Sequence, residues 1–441
     1  MNLKYFGTDG IRGPYGGDII NENLAYSLGN ALVLYLKKKG LVSGSILLGR
    51  DPRLSGEKLL NSAVEGIRQA GFHCMSAGIL PTPALAYGVI KKKCQMGIMI
   101  TASHNPPCDN GLKLFSELGG KLSIEEEIEI ESLMEIQSFT QLEKKDILQV
   151  DVVESYFKHL EDFFSPNFLS GLKIVADLAN GATSFTTPKA LRQFGADLIC
   201  INQGEGEINC NAGSESTQVL QSRVIQEDAD LGIAHDGDGD RVIFVDSFGK
   251  VVDGDCILGL LAKSSKEEGF VATVHSNSGL GEFLNKHGMQ FHRSAVGDRN
   301  VSVVMNETGC SWGGESSGHI VSKNFLPTGD GLFTALSVLS IIQLGSQSLH
   351  QLADQIKLWP SQCESFTVET KIPLEECDEI QVLLIHANNI LNGTGRILLR
   401  YSGTENKLRL FVEAKSLNIL EEVFTLIATG IKEKLCPRDH H

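Results

Sequence analysis

Residues 96–106 read MGIMITASHNP, a short apolar run that ends in a polar loop. The run is typical of a buried strand, because it is uninterrupted and the Asn-Pro pair after it favours a turn. A segment with helical periodicity, near Ala84–Lys92, comes before it. Strands that alternate with helices predict βαβ units and a mainly parallel sheet, and such sheets bind ligands just past the carboxyl ends of their strands. The sequence thus places Ser103 at a predicted ligand-binding edge.

The alternation of strand and helix patterns extends in both directions from this loop. Toward the N-terminus, Asn23–Lys39 is predicted to form a helix and Ser45–Gly49 a strand. The pattern returns over Gly171–Asp246 and again over Val252–Trp359, which predicts three related domains. The residues beyond 362 change to a strand, a helix, two strands and a final helix, which is typical of a small α+β domain.

The predicted fold class is therefore α/β, with three related domains of mixed, mainly parallel sheets and a smaller α+β domain at the C-terminus. The predicted domains are residues 1–150, 151–250, 251–362 and 363–441. Within the last domain, Phe366–Lys371 is predicted to be a strand and Leu374–Ile390 a helix.

The composition argues against several classes of protein. The chain has 441 residues and a formal net charge of −15, and an acidic surface repels polyanions, so nucleic acid is not an expected partner. The N-terminus has no apolar signal core, and the longest apolar run, Leu332–Leu344, is shorter than a membrane span. The ten cysteines form no C-x-x-C pair, which argues against a zinc site and a disulfide framework. We therefore expect a cytoplasmic protein without membrane contact.

The strongest chemical signal is the segment Asp236-Gly237-Asp238-Gly239-Asp240-Arg241. Three carboxylates separated only by glycines can bend onto one hard cation without steric conflict, and Mg²⁺ takes such oxygen ligands. An EF-hand loop also begins with alternating aspartates, but it needs Gly at the sixth position and Glu at the twelfth, where this chain has Arg241 and Ser247. A solvated acidic turn is the other alternative, and it does not explain three aspartates directly after an apolar strand.

The loop around Ser103 is the second candidate site. Read alone, a serine beside His104 is either a turn residue or an acyl-transfer nucleophile. The residues that follow closely are Asp109, Asn110, Gly111 and Lys113. We predict that one loop offers hydroxyl, imidazole, amide and ammonium groups. Such groups accept, steer and protonate around a phosphate, so this combination favours phosphoryl transfer.

Two glycine-containing segments lie further along the chain. Gly314–Gly318 formally matches the G-x-S-x-G elbow of α/β-hydrolases, but that elbow needs a helix directly after it, and residues 319–321 read as extended chain. Hydroxyls beside Glu315 and His319 better suit a loop that binds a polyhydroxylated ligand. Arg400–Glu405 combines an arginine, hydroxyls and a glycine turn, and it is either an anion-binding nest or an exposed turn. P-loop and G-x-G-x-x-G patterns do not occur, so nucleotide binding has no support.

Together and in this order, these segments resemble the α-D-phosphohexomutase superfamily over essentially the whole chain. Residues 101–113 are similar to its phosphoserine loop, and residues 236–241 to its metal loop. Residues 314–319 are similar to its sugar-binding loop, and residues 400–405 to its phosphate-binding loop. Residues 5–13, YFGTDGIRG, resemble the opening of its bacterial amino-sugar branch. The resemblance implies four domains around one central cleft.

The resemblance also implies a role for individual residues. Ser103 would carry a phosphate in the resting enzyme, Lys113 would be a general base, and His104 and Arg12 would lie near the transferring phosphate. The implied ligands of one Mg²⁺ are an oxygen of the phosphate on Ser103 and the carboxylates of Asp236, Asp238 and Asp240. The residues implied to bind substrate are Glu315, Ser317, His319, Asp298, Arg299, Arg400, Ser402, Gly403 and Thr404.

The implied reaction interconverts glucosamine 6-phosphate and glucosamine 1-phosphate, through a glucosamine 1,6-bisphosphate intermediate that also acts as activator, and feeds UDP-N-acetylglucosamine synthesis. The alternative is phosphoglucomutase or phosphomannomutase activity by the same mechanism, because Ser316 replaces a longer side chain often found in the sugar-binding loop. A phosphosugar-binding protein without turnover is a third hypothesis, which the intact Ser103 and Lys113 disfavour. Besides the phosphosugar, the one partner considered is a second copy in a homodimer.

Overall fold

The computed structural model of the chain describes residues 3–135, 146–402 and 406–436. Two compact units are defined by their internal contacts. Unit 1 comprises Met1–Ser276 and His287–Gln355, and unit 2 comprises Asn277–Lys286 and Ile356–His441. Within the described ranges, no helix combines the length and the apolar character needed to cross a membrane.

The first part of unit 1 is built on a six-stranded mixed sheet. Its strands are β1 (Ile11–Pro14), β2 (Ser45–Arg50), β3 (His73–Ile79), β4 (Met96–Ile100), β5 (Asp109–Ser116) and β6 (Leu148–Gln149). Its helices are α1 (Glu22–Lys38), α2 (Gly56–Gln69), α3 (Thr82–Lys92) and α4 (Ile124–Ser132). The strand order is β1-β5-β4-β2-β3-β6. Neighbours from β4 to β6 along this order are parallel, whereas β5 runs antiparallel to both β4 and β1.

The second part of unit 1 repeats this plan with five strands. They are β7 (Lys173–Asp177), β8 (Asp197–Ile201), β9 (Leu231–His235), β10 (Val242–Asp246) and β11 (Val251–Val252). The accompanying helices are α5 (Val153–Glu161), α6 (Thr186–Gln193) and α7 (Gln218–Gln226). The order is β11-β10-β9-β7-β8, with β7 parallel to β8 and β9, and β10 antiparallel to β9 and β11.

The third sheet also has five strands. They are β12 (Gly269–Thr273), β13 (Gln290–Ser294), β14 (Trp312–Gly314), β15 (Ile320–Ser322) and β16 (Leu326–Gly329). The helices of this stretch are α8 (Gly254–Ser264), α9 (Ser278–Lys286), α10 (Asp298–Thr308), α11 (Gly331–Gly345) and α12 (Leu349–Ala353), of which α9 belongs to unit 2. The order is β13-β12-β14-β15-β16, with β12 parallel to β13 and β14, and antiparallel pairs from β14 to β16.

A shared hairpin relates the three sheets to one another. In each sheet, one strand with a parallel neighbour is followed along the chain by a strand that pairs antiparallel with it. These pairs are β4–β5, β9–β10 and β14–β15. The predicted Ser103 loop, the aspartate loop and the loop at residues 315–319 are the connections within these three hairpins. The predicted α/β fold class is therefore confirmed, while the domain boundaries at residues 150, 250 and 362 stay predictions.

Unit 2 is a small α+β structure, as predicted. Its strands are β17 (Ser361–Thr367), β18 (Gly395–Tyr401) and β19 (Lys407–Ala414), and its helices after α9 are α13 (Asp378–Leu391) and α14 (Leu417–Lys434). The strands form an antiparallel sheet in the order β17-β19-β18. The strand predicted at Phe366–Lys371 was wrong by five residues, because the pairing with β19 begins at Ser361. The predicted helix at Leu374–Ile390 is interrupted: a short 3₁₀ turn at Leu374–Glu376 precedes α13.

The prediction that one loop carries both Ser103 and Lys113 was wrong. Residues 109–116 form strand β5, in which Lys113 is paired with Met99 of β4 and Leu112 is paired with Ile11 of β1. The polar start of β5 has low intrinsic strand preference, and its pairing with β1 overrides that preference. Lys113 is therefore held by a central strand, and only the serine belongs to the loop.

Candidate active site

Ser103 lies in the loop directly after β4 and is fully buried. Its backbone adopts a left-handed conformation, with φ of 52°, which is uncommon for a residue with a side chain. The Ser103 amide donates to Thr101 Oγ1 over 2.8 Å, and the Ser103 Oγ donates to Asp236 Oδ2 over 2.7 Å. A strained backbone held by such bonds is a common feature of functional loops.

The buried Arg53 side chain holds this loop through hydrogen bonds to its backbone. The Arg53 guanidinium donates to the backbone carbonyl oxygens of Ser103, Asn105 and Asp109, each over 2.9 Å, and to that of Pro106. Its Nε also donates to Asp51 Oδ2 over 3.0 Å. The Arg53 guanidinium is therefore a template for the loop, because its fixed, planar set of donors determines where these four carbonyl oxygens lie.

Two further side chains complete the support of the Ser103 loop. Thr101 Oγ1 donates to Asp51 Oδ2 over 2.7 Å, so the carboxylate that pairs with Arg53 also fixes the start of the loop. From the loop between β8 and α7, Asn209 Nδ2 donates to the Ser103 carbonyl oxygen over 2.7 Å. The supporting roles of Asp51, Arg53 and Asn209 were not predicted from the sequence. One signal could have found the first two, because polar residues directly after a parallel strand lie at the ligand-binding edge.

We expect an Arg53→Met variant to lose about 3–5 kcal/mol of unfolding free energy, because the buried Asp51 carboxylate is left without its cation. Urea unfolding of both proteins would measure the difference. Arg50→Met is the matched control, since among the described residues Arg50 donates only to the Asp51 carbonyl oxygen, over 3.1 Å. A loss of about 1 kcal/mol or less is expected there. Equal losses in the two variants would contradict the template role of Arg53.

The three predicted metal ligands converge between β9 and β10. One carboxylate oxygen from each of Asp236, Asp238 and Asp240 lies within 4.8 Å of the others, and all three residues are buried. Asp236 Oδ1 accepts from the backbone N–H groups of Gly239 and Arg241 over 3.1 and 3.2 Å, which fixes the curvature of the loop. A Cβ on Gly237 would approach the Ser103 carbonyl oxygen to 2.6 Å, so only glycine allows the two loops to meet.

The donor set of this cluster fits a hard divalent cation. Asp238 Oδ1 is buried and has no hydrogen-bond donor in the described part of the chain, although buried carboxylate oxygens are normally satisfied. Burial, together with the charges of Asp238 and Asp240, raises the pKa of Asp236 well above its usual range. Three such carboxylates are stable together only with added positive charge, and oxygen-only ligands favour Mg²⁺ over softer metals.

Lys113 supplies part of that positive charge. Its Nζ lies 2.7 Å from both Asp238 Oδ2 and Asp240 Oδ2, and 3.2 Å from Asp9 Oδ2. Burial lowers the pKa of Lys113, but Asp238 and Asp240 outweigh burial, and the net shift is upward. Lys113 is therefore an ammonium in this arrangement, and its role as a general base stays a prediction.

Arg12 and His104 border the serine. Arg12 Nε donates to the Asp9 carbonyl oxygen over 3.1 Å, its Nη2 pairs with the Asp9 carboxylate, and its Nη1 donates to the Ala102 carbonyl oxygen over 3.5 Å. His104 Nδ1 lies 3.4 Å from Ser103 Oγ. Burial, followed by the charges of Arg241 and Arg12, lowers the pKa of His104 to about 3. His104 is therefore a neutral imidazole near neutral pH, able to steer a proton but not to supply a fixed charge.

The loop between β14 and β15 approaches the aspartate loop. The Val242 amide donates to the Gly318 carbonyl oxygen over 3.1 Å, and His319 Nδ1 lies 3.4 Å from Asp240 Oδ1. Glu315 Oε1 accepts from the Gly297 amide over 3.0 Å. Ser317 Oγ is buried without a hydrogen-bond partner among the described residues. Strand β15 follows this loop directly, so the helix that a hydrolase elbow requires is replaced by a strand.

The two predicted residues at the start of α10 differ in what they contact. Asp298 Oδ2 pairs with Lys121 and lies 3.3 Å from His319 Nε2, so Asp298 joins the cluster. The Arg299 guanidinium instead pairs with buried Glu127 of α4. Asp298 therefore lies beside another predicted site residue, His319, whereas the Arg299 side chain contacts α4.

The predicted phosphate-binding loop lies in unit 2. Arg400 is near the end of β18, and Ser402 follows that strand as a buried residue. Ser402 N donates to the Lys407 carbonyl oxygen over 2.8 Å, and the Ser402 carbonyl oxygen accepts from Lys371 Nζ over 2.6 Å. Gly403 and Thr404 lie outside the described residues.

The loops of the repeated α/β domains bring together the Ser103 hydroxyl, the buried aspartate triplet and several cationic side chains. This combination is typical of a metal-dependent phosphoryl-transfer enzyme. Family models for α/β/α domains I, II and III of phosphoglucomutase/phosphomannomutase match residues 3–141, 154–249 and 253–358, and the model of the C-terminal domain matches residues 366–429. The chain belongs to the phosphoglucomutase/phosphomannomutase family. The resemblance recognised in the sequence is thereby confirmed.

Relatives and solved structures agree with this assignment. Phosphoglucosamine mutase of Nautilia profundicola is 39% identical and covers 98% of this chain and 100% of its own length. Phosphoglucosamine mutase of Cronobacter sakazakii is 41% identical, and the match covers 98% of this chain and 99% of that protein. A Burkholderia thailandensis phosphoglucomutase/phosphomannomutase family protein has the same fold, with a TM-score of 0.78, 22% identity and 97% coverage of both chains. Aspergillus fumigatus N-acetylphosphoglucosamine mutase, solved with GlcNAc-6P and magnesium, has a TM-score of 0.66 at 16% identity. The match covers 98% of this chain and 96% of the Aspergillus chain.

Proposed function

We propose that this enzyme interconverts glucosamine 6-phosphate and glucosamine 1-phosphate, with Ser103 as the phosphate carrier. The observation that carries the proposal is the contact of Ser103 Oγ with Asp236 Oδ2, over 2.7 Å, inside the buried aspartate triplet. The choice of sugar is supported by relatives named phosphoglucosamine mutase, which are 36–41% identical over 94–99% of the chain. The product would feed UDP-N-acetylglucosamine synthesis.

The proposed reaction consists of two phosphoryl transfers. In the first, the bond between phosphorus and Ser103 Oγ breaks, a bond to O1 of glucosamine 6-phosphate forms, and the proton of the O1 hydroxyl moves to Ser103 Oγ through basic groups of the site. In the second, the bond between phosphorus and O6 of glucosamine 1,6-bisphosphate breaks, a bond to Ser103 Oγ forms, and the proton of the Ser103 hydroxyl moves to O6. Ser103 ends phosphorylated, so the cycle is balanced without another phosphate donor.

Asp236, Asp238 and Asp240 would hold one Mg²⁺, and an oxygen of the phosphate on Ser103 would be a further ligand. When bound, such an ion neutralises charge on the transferring phosphoryl group. A phosphate on Ser103 also removes the hydroxyl proton that now bonds to Asp236. Two anions then face each other at that point, and an added cation becomes more favourable there.

The chain's own cations and hydrogen-bonding groups complete the proposed site. Arg12 would bind the transferring phosphoryl group, Lys113 would act as the general base, and His104 would steer the serine proton. Glu315 and Ser317 would bind sugar hydroxyls, and the unsatisfied Ser317 Oγ is suited to this role because buried hydroxyls normally have a partner. The residues proposed to bind the other phosphate are Arg400, Ser402, Gly403 and Thr404.

A cytoplasmic location is also part of the proposal. Phosphorylated sugars are charged at neutral pH and do not cross membranes unaided, so an enzyme that consumes them is expected where they are made. The ten cysteines are unpaired, as is usual in a reducing compartment.

We expect the phosphorylated enzyme to turn over glucosamine 6-phosphate with a kcat/KM at least about tenfold above that for glucose 6-phosphate or mannose 6-phosphate, a difference of about 1.4 kcal/mol. A coupled assay on one preparation, with all three substrates, would measure the ratio. The Ser103→Ala protein in the same assay controls for contaminating mutases. Equal or better turnover of the glucose or mannose phosphate would contradict the assigned sugar and favour the alternative activity.

A further inference from the structure

Lys121 is a lysine with a mostly buried side chain and without a role in the mechanism described above. It follows β5 and pairs through Nζ with Asp9 Oδ1 and with Asp298 Oδ2. Its side chain is only 12% exposed, and that of Asp298 is 7% exposed. Burial of an ammonium costs several kcal/mol unless carboxylates compensate it. Lys121 therefore joins the first sheet's domain to the start of α10 through a mostly buried contact in which carboxylates compensate its charge.

The two partners of Lys121 lead directly to the reacting centre. Asp9 Oδ2 lies 3.2 Å from Lys113 Nζ, and Asp298 Oδ2 lies 3.3 Å from His319 Nε2. Lys113 and His319 then meet at one carboxylate, because Asp240 Oδ2 is 2.7 Å from Lys113 Nζ and Asp240 Oδ1 is 3.4 Å from His319 Nδ1. The contacts close into a ring, which runs through Lys121, Asp9, Lys113, Asp240, His319 and Asp298.

The ring draws its members from all three related domains. Asp9, Lys113 and Lys121 come from the first, Asp240 from the second, and Asp298 and His319 from the third. Each side chain in the ring touches two others, so a shift of one changes the position of both neighbours. Lys121 lies opposite Asp240 in this ring, three contacts away in either direction. In the contacts described above it touches neither Ser103 nor a member of the aspartate triplet.

A second ion pair joins the same two elements and provides a comparison. Arg299, next to Asp298 in α10, pairs with Glu127 of α4, and their side chains are 15% and 4% exposed. This pair matches the Lys121–Asp298 pair in burial and in the domains it links. It differs in one respect, because neither of its members contacts Lys113 or His319 in the described structure.

We propose that Lys121 is a positioning residue for the phosphoryl transfer, which holds Lys113 through Asp9 and His319 through Asp298 on opposite sides of Asp240. The inference rests on the proposed mutase activity. Residues that orient the groups around a reacting centre typically contribute 10–100-fold to activity, while contributing little to substrate affinity when they do not touch the substrate. A tether that only joined domains would act on stability and leave turnover unchanged.

The test compares Lys121→Met, Lys121→Arg and Glu127→Gln in the full-length, phosphorylated protein. We expect Lys121→Met to lower kcat by about 10–100-fold with KM for glucosamine 6-phosphate changed less than about threefold. Lys121→Arg should restore most of kcat, because it keeps the charge and the donors. Glu127→Gln should lower the melting temperature by a similar amount while its kcat stays near that of the wild type.

Two results would overturn the proposal. One is a Lys121→Met enzyme with kcat within about threefold of the wild type, and the other is an equal loss of kcat in Glu127→Gln at an equal loss of stability. If Lys121→Met does not fold, Lys121→Gln replaces it in the same comparison. A wild type without mutase activity would instead reject the proposed function, so the two failures are distinguishable.

Discussion

A Ser103→Ala enzyme is expected to lose at least about 10⁴-fold in mutase turnover, because the hydroxyl that gives and retakes the phosphoryl group is absent. The coupled assay with glucosamine 6-phosphate measures the loss, and intact-mass analysis should show no phosphate on the variant. The local backbone should be preserved, because alanine at φ of 52° carries no more strain than serine.

The control for this substitution is Ser62→Ala. Ser62 is also a buried serine. In the described part of the chain its Oγ donates only to the Lys58 carbonyl oxygen within α2, over 3.0 Å. This variant should keep nearly all of its turnover and its phosphate. A Ser103→Ala protein that retained more than about 1% of wild-type activity would show that another group carries the phosphate.

The second large effect is expected from Asp238→Asn, which removes one of three buried carboxylate charges without changing the side-chain shape. Turnover should fall about 10²–10³-fold, the range seen when one preorganised electrostatic group is lost. The Mg²⁺ concentration for half-maximal binding, measured by calorimetry on the protein without substrate, should rise.

In the wild type, removal of divalent cations with EDTA should abolish turnover, and added Mg²⁺ should restore it.

Asp177→Asn is the matched control for the aspartate triplet. Asp177 is a buried carboxylate at the end of β7 in the same sheet, and it accepts from the Ala179 amide over 3.0 Å and from Asn202 Nδ2 over 3.0 Å. Its replacement should affect stability and leave the Mg²⁺ titration unchanged. A Mg²⁺ affinity that is equal in the wild type and in Asp238→Asn would contradict the proposed metal site.

The repeating architecture and two of the loops could be read from the sequence with good accuracy. Strand β4 was predicted at the observed residues, and the helix predicted at Asn23–Lys39 is observed at Glu22–Lys38. These elements have strong local patterns: an uninterrupted apolar run in one case and amphipathic periodicity in the other. The aspartate triplet was equally accessible, because its ligands are neighbours along the chain and a buried strand directly precedes them.

The interactions that organise the site could not be predicted in the same way, because they join residues that are distant in sequence. Arg53 meets the Ser103 carbonyl oxygen from 50 positions away, and Asn209 meets it from 106 positions away. A single charged residue on its own gives no local sign that it is buried. Arg53 and Lys121 therefore read as surface residues until the fold shows the carbonyl oxygens and carboxylates that surround them.

Strand β5 and helix α4 illustrate a second limit of local patterns. The start of β5, Asp-Asn-Gly, favours a turn, and only pairing with β1 makes it a strand. Helix α4 contains a run of glutamates that resembles a solvated segment, yet Glu127 and Ile130 are buried. The orientation of Arg299 toward Glu127 follows from that burial, and no feature of its own segment indicates it.

The most direct test of phosphate transfer from Ser103 to a hexosamine phosphate is a single-turnover experiment with radiolabelled phosphate on Ser103. The labelled enzyme, in excess Mg²⁺, is mixed with glucosamine 6-phosphate and quenched over time. The label should leave the protein and appear first in glucosamine 1,6-bisphosphate and then in the sugar monophosphates. Label that remained on the protein, or that left it only as inorganic phosphate, would contradict the proposed mechanism.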